Sequence, residues 1–80
     1  SRETRNLRIF MRDAQPVNGI SSMLAGSSAP PYGESKVSMI VIEGSGEMEV
    51  EVTLKNRFKM TPQFANAIKS VPGVLDAELV

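Results

Sequence analysis

The sequence predicts an α+β domain of the ferredoxin-like class, with a four-stranded antiparallel sheet and two helices on one face of it. Three observations lead to this class. The stretch Lys36–Lys55 has two strand-like halves joined by two glycines, two further segments carry apolar residues three and four positions apart, and a short alternating segment lies near each end of the chain. Together they give the order β-α-β-β-α-β, which is typical of that fold.

The central hairpin has the clearest pattern. Residues 48–55 alternate between apolar and polar without a break, as in a strand with one buried face and one solvated face. The expected buried side chains are those of Met48, Val50, Val52 and Leu54. Residues 37–42 are apolar on both sides and rich in β-branched residues. Gly44 and Gly46, between the halves, permit the positive φ angles of a tight reversal.

The elements before the hairpin follow from local patterns. Residues 1–6 are polar and expected to be disordered, and Leu7–Arg12 alternates and predicts the first strand. Val17–Ala25 carries its apolar residues on one helical stripe and predicts the first helix. Gly26–Ser35 contains two prolines and two glycines and predicts a loop, in which only Tyr32 is expected to pack against the domain.

The elements after the hairpin have clear boundaries. The threonine–proline pair at 61–62 predicts an N-cap and first helical residue, and the proline–glycine pair at 72–73 predicts the end of that helix. Residues 75–80 alternate and predict a fourth strand, with inward positions at Leu75, Ala77 and Leu79. Right-handed crossovers then place both helices on one face. The first and third strands are expected to be central and parallel, and the second and fourth to form the edges.

Composition restricts the function. The 80 residues predict a single domain, and nine basic and nine acidic residues balance, whereas dedicated nucleic-acid binders are usually basic. Cysteine and histidine are absent, which removes thiolate sites and the commonest general base and metal ligand. The sequence therefore predicts no catalytic residue, metal or cofactor. The longest apolar run is too short for a membrane span and no signal peptide is visible, so a cytoplasmic location is the default expectation. A fragment of a longer chain is expected, because the sequence begins at Ser1.

The open face of the predicted sheet supplies five candidate partner-binding residues. Three lie on the first strand and two on the third: Arg8, Phe10, Arg12, Glu49 and Glu51. Arginines around an aromatic residue are typical of surfaces that stack on single-stranded bases, whereas carboxylates on the same face repel phosphate. The glutamates could also form an acid–base pair, but exposed carboxylates that pair with the arginines on a neighbouring strand are the favoured interpretation.

The second half of the chain, EVEVTLKNRFKMTPQFANAIKSVPGVLDAELV, resembles the extreme C-terminal domain of the bacterial replicative DNA polymerase III alpha subunit. The shared pattern is an alternating strand, a basic–aromatic step, a threonine–proline helix start and a last strand after proline–glycine–valine. The segments LRIFMRD and KVSMIVIE in the first half are consistent with it. The likeness covers most of the chain, and its motifs are structural rather than catalytic.

The resemblance implies a protein-docking role. In that family the tail of the alpha subunit binds the tau subunit of the clamp loader, beside an OB-fold that meets single-stranded DNA, and the polymerase aspartates lie in a distant domain. It implies tau, the adjoining OB-fold and a weak single-stranded DNA contact as partners, with no membrane and no enzyme activity in this domain. The alternative is a ferredoxin-like domain that binds a small ligand or single-stranded nucleic acid through Arg8, Phe10 and Arg12.

Overall fold

A computed structural model describes residues 5–27 and 33–80 of the chain. It contains six elements in the predicted order: β1 (Leu7–Met11), α1 (Val17–Ser27), β2 (Val37–Glu43), β3 (Met48–Thr53), α2 (Pro62–Lys69) and β4 (Val74–Leu79). The expectations for residues 1–4 and for the packing of Tyr32 concern positions outside the described residues. Asn6 exchanges two backbone hydrogen bonds with Val80, at 2.9 and 2.8 Å.

The four strands form one sheet in the order β3-β2-β1-β4. β1 and β2 are parallel, whereas β3 pairs antiparallel with β2 and β4 pairs antiparallel with β1. The α+β class, the element order and the four-stranded sheet are confirmed. The prediction of a fully antiparallel sheet is corrected to a mixed one, and the central strands are the first and second rather than the first and third.

The strand order follows from where β2 lies. A crossover through a helix can place the next strand beside the first or leave a space for a later one, and here β2 takes the adjacent place. Its residues 37–40 are all buried, and β2 has a neighbouring strand on each side. The β2–β3 hairpin then extends the sheet outward, and β4 occupies the free side of β1.

One apolar core lies between the sheet and the helices. Leu7, Ile9 and Met11 of β1 are fully buried, and they belong to one cluster with residues from both helices. The helical members of that cluster are Ile20, Leu24, Ala65 and Ile68. Both helices therefore pack on the same face, as predicted. Full burial of each large apolar side chain contributes about 1.5–3 kcal/mol.

A register shift changes which residues of β4 face this core. The pairing of β1 with β4 is irregular between Phe10 and Met11, so that Met11 lies opposite Val74. Val74 packs against the core, and Leu75 is 47% exposed. The predicted inward position of Leu75 is therefore wrong, because simple alternation does not hold through the irregularity.

The two ends of α2 match their sequence patterns. The Phe64 backbone N–H donates to Thr61 Oγ1 at 3.1 Å, so Thr61 is the N-cap. Beyond the helix, Gly73 has a φ of 93°, and a Cβ atom at this position would lie 2.8 Å from Cγ of the buried Pro16. Gly73 thus meets both a backbone and a packing requirement where the α2–β4 turn contacts the start of α1.

Gly73→Ala is expected to destabilise the domain more than Gly46→Ala. The two glycines have nearly equal φ angles, 93° and 91°, but a Cβ at Gly46 would meet no atom within 4 Å. Both variants therefore carry the cost of a left-handed alanine, about 1–2 kcal/mol, and only Gly73→Ala adds the overlap with the Pro16 ring. Urea unfolding of both variants measures the difference. Equal destabilisation would show that the Pro16 contact is unimportant.

Candidate functional site

The sheet face opposite the helices brings three of the five candidate residues together. Arg8 Nη2 donates to Glu51 Oε1 at 3.4 Å, and the Arg8 guanidinium carbon lies 5.2 Å from the centroid of the Phe10 ring. Phe10, Ile40 and Glu51 are in register across β1, β2 and β3. Arg8, Phe10 and Glu51 thus lie on one face of the sheet, as their alternation predicts, and their role in partner binding stays a prediction.

The Arg8–Glu51 pair spans β2. Arg8 lies on β1 and Glu51 on β3, so the contact covers two strand spacings, about 10 Å, which only a long side chain can bridge. The Arg8 side chain crosses β2 between the rows of Ser38 and Ile40. Ile40 is fully buried although no helix covers this face, because the side chains around it exclude water. The apolar stem of an arginine is well suited to this cover.

The remaining two candidate residues lie apart from this group. Glu49 is opposite Ile42 at the turn end of the hairpin, and Arg12 follows the end of β1. Both are exposed, and neither forms an ion pair with any residue that the structure describes. The expected pairing of Arg12 with a glutamate is therefore not observed.

The charges on this face are mainly acidic. At its strand positions, Glu49, Glu51, Asp76 and Glu78 accompany one basic residue, Arg8. The guanidinium of Arg8 is already engaged by Glu51. This arrangement disfavours a phosphate backbone, which requires a surplus of positive charge.

The helix-side face of β3 is the feature that sequence reasoning missed. Met48, Val50 and Val52 are 60%, 46% and 55% exposed, although their alternation predicts burial. All six residues of the strand are exposed, and only the following residue, Leu54, packs against the core. The predicted buried face of β3 is therefore wrong, because the strand lies at the sheet edge beyond the cover of the helices. We call residues 48–53, with their unpaired outer side, the β3 edge.

A signal for this position exists in the sequence. β2 is apolar on both faces, as in a strand with neighbours and cover on both sides, whereas β3 carries a glutamate at alternate positions. Charged residues in a short strand are typical of sheet edges. Comparison of the two halves of the hairpin therefore favours β2 as the central strand.

Two shallow grooves lie beside the helices. One, of about 260 Å³, runs between α2 and β4 and is lined by both basic and acidic residues, including Arg5, Lys69 and Asp76. Lys69 Nζ and Asp76 Oδ1 are 3.7 Å apart within it. The other, of about 270 Å³, lies between α1 and the segment after β3, and Leu24, Leu54 and Phe58 contribute to its lining.

No group of three or more acidic side chains within residues 5–27 and 33–80 is arranged to hold a metal ion. No helix within them has the length and apolar character needed to cross a membrane.

Comparisons with known proteins add no identification. No family model, curated protein or solved structure matches the chain. The likeness to the polymerase III alpha C-terminal domain therefore rests on the sequence pattern alone.

Arg8→Ala is expected to destabilise the domain more than Glu51→Ala. Both changes remove the ion pair, which at a partly exposed site contributes about 0.2–1 kcal/mol, but only Arg8→Ala also removes the contact of the guanidinium with the Phe10 ring. A double-mutant cycle in denaturant unfolding separates the coupling energy from these other contributions.

Arg12→Ala is the matched control for this cycle. Arg12 is exposed and has no described ion-pair partner, so its loss is expected to change stability by no more than about 0.5 kcal/mol. Equal effects of Arg8→Ala and Arg12→Ala would contradict a stabilising role for the contacts of Arg8 with Phe10 and Glu51.

Proposed function

We propose that this domain is a non-catalytic protein-docking module that tethers a DNA polymerase III alpha subunit to the tau subunit of the clamp loader. The observation that carries the docking part is the exposed apolar side of the β3 edge, formed by Met48, Val50 and Val52. The identity of the two subunits comes from the resemblance of residues 49–80 and of the LRIFMRD and KVSMIVIE segments. In this proposal the domain acts in the cytoplasm, beside an OB-fold of the same chain.

An exposed strand with three large apolar side chains favours a docking role. Exposed strand edges promote unwanted pairing, and proteins usually shorten, charge or cover them. Contiguous apolar surface on a small domain is typical of a contact with another protein. The burial of Met48, Val50 and Val52 by a partner would give a favourable contribution that the isolated fold does not obtain from its own helices.

A second candidate function is the binding of single-stranded nucleic acid on the open sheet face. The observation in its favour is the Arg8 guanidinium over the Phe10 ring, since arginine and aromatic planes both stack on bases. Against it, four acidic residues occupy strand positions of that face beside one arginine, and the arginine is paired with Glu51. The charge balance therefore favours the docking proposal.

Deletion of this domain, residues 1–80 of the printed sequence, from the full-length alpha subunit is expected to abolish the binding of alpha to purified tau or to weaken it at least about tenfold. The physical reason is the loss of the exposed apolar surface on which the proposed contact depends. Full-length alpha and the deletion variant, titrated with the same tau preparation, give the two dissociation constants. Polymerase activity of the deletion variant on a primed template is the control for the rest of the chain. Unchanged tau binding would remove the tau assignment.

A comparison of full-length alpha with its Arg8→Ala variant tests the second candidate. Binding of a labelled single-stranded oligonucleotide is expected to be similar for full-length alpha and for Arg8→Ala in full-length alpha, because the proposed docking function does not use the open face. A large, specific loss of oligonucleotide affinity in Arg8→Ala with tau binding intact would favour the nucleic-acid function instead.

A further inference from the structure

The backbone of β3 has a regular pattern of inward and outward hydrogen-bonding groups. The Leu54 N–H donates to the Val37 carbonyl at 2.9 Å, next to the register pair Ser38–Thr53. In an antiparallel ladder, hydrogen-bonded and non-hydrogen-bonded pairs alternate. Val50 and Val52 therefore direct their N–H and carbonyl groups toward β2. The groups that point outward from the sheet belong to Glu49, Glu51 and Thr53.

At the opposite edge of the sheet, formed by β4, side chains of the domain bond to some of the outward backbone groups. The two hydrogen bonds between Asn6 and Val80 place the outward groups of β4 at residues 77 and 79. The Ala77 N–H donates to Asp76 Oδ1 at 2.8 Å, and the Leu79 carbonyl accepts from Arg5 Nη2 at 3.1 Å. The domain's own side chains thus occupy part of the β4 edge.

The β3 edge has no such cover among the described residues. None of the backbone groups of Glu49, Glu51 or Thr53 that point outward bonds to a residue in ranges 5–27 or 33–80. Residues 48–53 also contain no proline or lysine, two residues that commonly block an edge strand; the charged residues of this strand are Glu49 and Glu51. Among the described residues, β3 is therefore the edge strand whose outward backbone groups are more available to pair with another strand.

We propose that the β3 edge takes an extended segment of the partner protein as a fifth strand, and that this segment alternates apolar residues with lysine or arginine. The proposal rests on the docking function proposed above and specifies its mode and the chemistry of the partner. Addition of a strand to an exposed edge is an established mode of peptide recognition. Main-chain hydrogen bonds supply general affinity in this mode, and alternate side chains supply specificity.

The side chains of β3 define what the added strand must carry. Residues directly opposite each other on neighbouring strands share a face of the sheet. A residue opposite Val50 or Val52 would therefore lie on the exposed apolar side, and a residue opposite Glu49 or Glu51 would lie among the carboxylates of the open face. Glu49 has no described ion-pair partner, and the side chain of Glu51 is 45% exposed despite its contact with Arg8. Basic residues at these alternate positions complement that charge.

The same charges disfavour a second copy of this chain as the occupant. Two β3 strands paired antiparallel around Val50 would place Glu49 opposite Glu51 on both sides of the centre, and like charges directly opposite are destabilising. An offset pairing that sets these glutamates against the basic residues of segment 55–59 needs a straight strand through that region. The strand is instead interrupted there, since Phe58 bridges to Ser35 where regular pairing would place Asn56.

The size of the edge favours a short segment over a globular interface. Six residues of β3 extend about 20 Å, and a fifth strand of that length buries less than the roughly 800 Å² per partner of a standard protein–protein interface. A contact of this size suits a linear segment of the partner rather than a large docking face.

Glu49→Pro in the full-length alpha subunit is expected to weaken tau binding at least about tenfold relative to Glu49→Thr. The proline removes an N–H that points outward, so the β2–β3 ladder keeps its hydrogen bonds. The threonine loses the same carboxylate but keeps the N–H and favours a strand, so the comparison isolates the backbone donor. Thermal melting of both variants checks that the fold is retained.

Amide hydrogen exchange gives a second readout, because a general change in the stability of the domain would not protect alternate amides of β3. In the complex of full-length alpha with tau, the amides of Glu49, Glu51 and Thr53 are expected to become protected, while those of Val50 and Val52 are already bonded to β2. Residue-resolved exchange before and after addition of tau measures this alternation. Protection spread over all of β3, or none, would overturn strand addition.

Glu49→Lys tests the charge of the partner segment, with Glu78→Lys as the matched control. Both changes alter net charge equally, and Glu78 lies on β4 at the opposite edge. Glu49→Lys is expected to weaken tau binding several-fold, with an effect that shrinks as ionic strength rises, whereas Glu78→Lys is expected to change it by less than about twofold. Equal effects of the two variants would overturn the basic character assigned to the segment.

The failure of this proposal differs from the failure of the docking function. Loss of tau binding on deletion of residues 1–80, together with equal binding by Glu49→Pro and Glu49→Thr, overturns strand addition and leaves docking in place. Unchanged binding on deletion overturns both. A dimer of alpha alone in sedimentation that Glu49→Pro removes would make a second copy the occupant and overturn the hetero-partner assignment.

Discussion

The parallel pairing of β2 with β1 is the constraint on which the rest of this structure depends. Because β2 lies directly beside β1, the hairpin can place β3 only at the outer edge of the sheet. The same pairing leaves one side of β1 free, and β4 fills it. Two helices of 11 and 8 residues then cover the core of the central strands but leave β3 outside. The exposure of Met48, Val50 and Val52 is thus a consequence of topology rather than of their local sequence.

The two edge strands of the sheet, β3 and β4, differ in how their unpaired backbone groups are protected from pairing with other strands. An edge strand presents unpaired N–H and carbonyl groups to solvent, where another strand can bind. At β4, Arg5 and Asp76 bond to two of these groups. At β3 no comparable side-chain contact is present among the described residues, and the glutamates beside the free groups repel a copy of the same strand. Such charges limit self-pairing while they leave the edge open to a strand of opposite charge.

Local patterns predicted the elements well because their causes are local. Thr61 begins α2 through a hydrogen bond to a residue three positions away, and the glycines at 44 and 46 supply positive φ angles within one turn. The strand order, in contrast, does not follow from local sequence, because β1 and β2 pair across about 30 positions of the chain. The element order β-α-β-β-α-β is also compatible with more than one strand order. The exposure of Leu75 likewise depends on a register irregularity between two distant segments.

The candidate site also combines features that local sequence predicts with features that depend on the pairing of distant strands. Arg8, Phe10 and Glu51 were predicted to share a face, and they do, although the contact arises differently from the expected one. The prediction placed Arg8 and Glu51 on adjacent strands, whereas β2 lies between them and Arg8 reaches across it. The length of the arginine side chain allows the pair to form in either strand order. The burial of Val50 and Val52, by contrast, depends directly on whether β3 is a central strand or an edge strand, so an error in the strand order changes it.

In the proposed complex, the position of β3 would also link partner binding to the stability of the domain. An 80-residue chain buries a limited part of its surface, so its folded state is marginally stable. β3 contributes little to the core, and its order depends on the hydrogen bonds to β2 and on the turn at residues 44–47. A partner strand that binds the folded state alone stabilises it by mass action. In the strand-addition proposal this increase in stability would originate at β3, where the free domain has exposed apolar side chains and outward backbone groups. Under this proposal, local opening of the hairpin and binding of the partner would oppose each other, because a partner strand paired with Glu49, Glu51 and Thr53 would also hold β3 against β2.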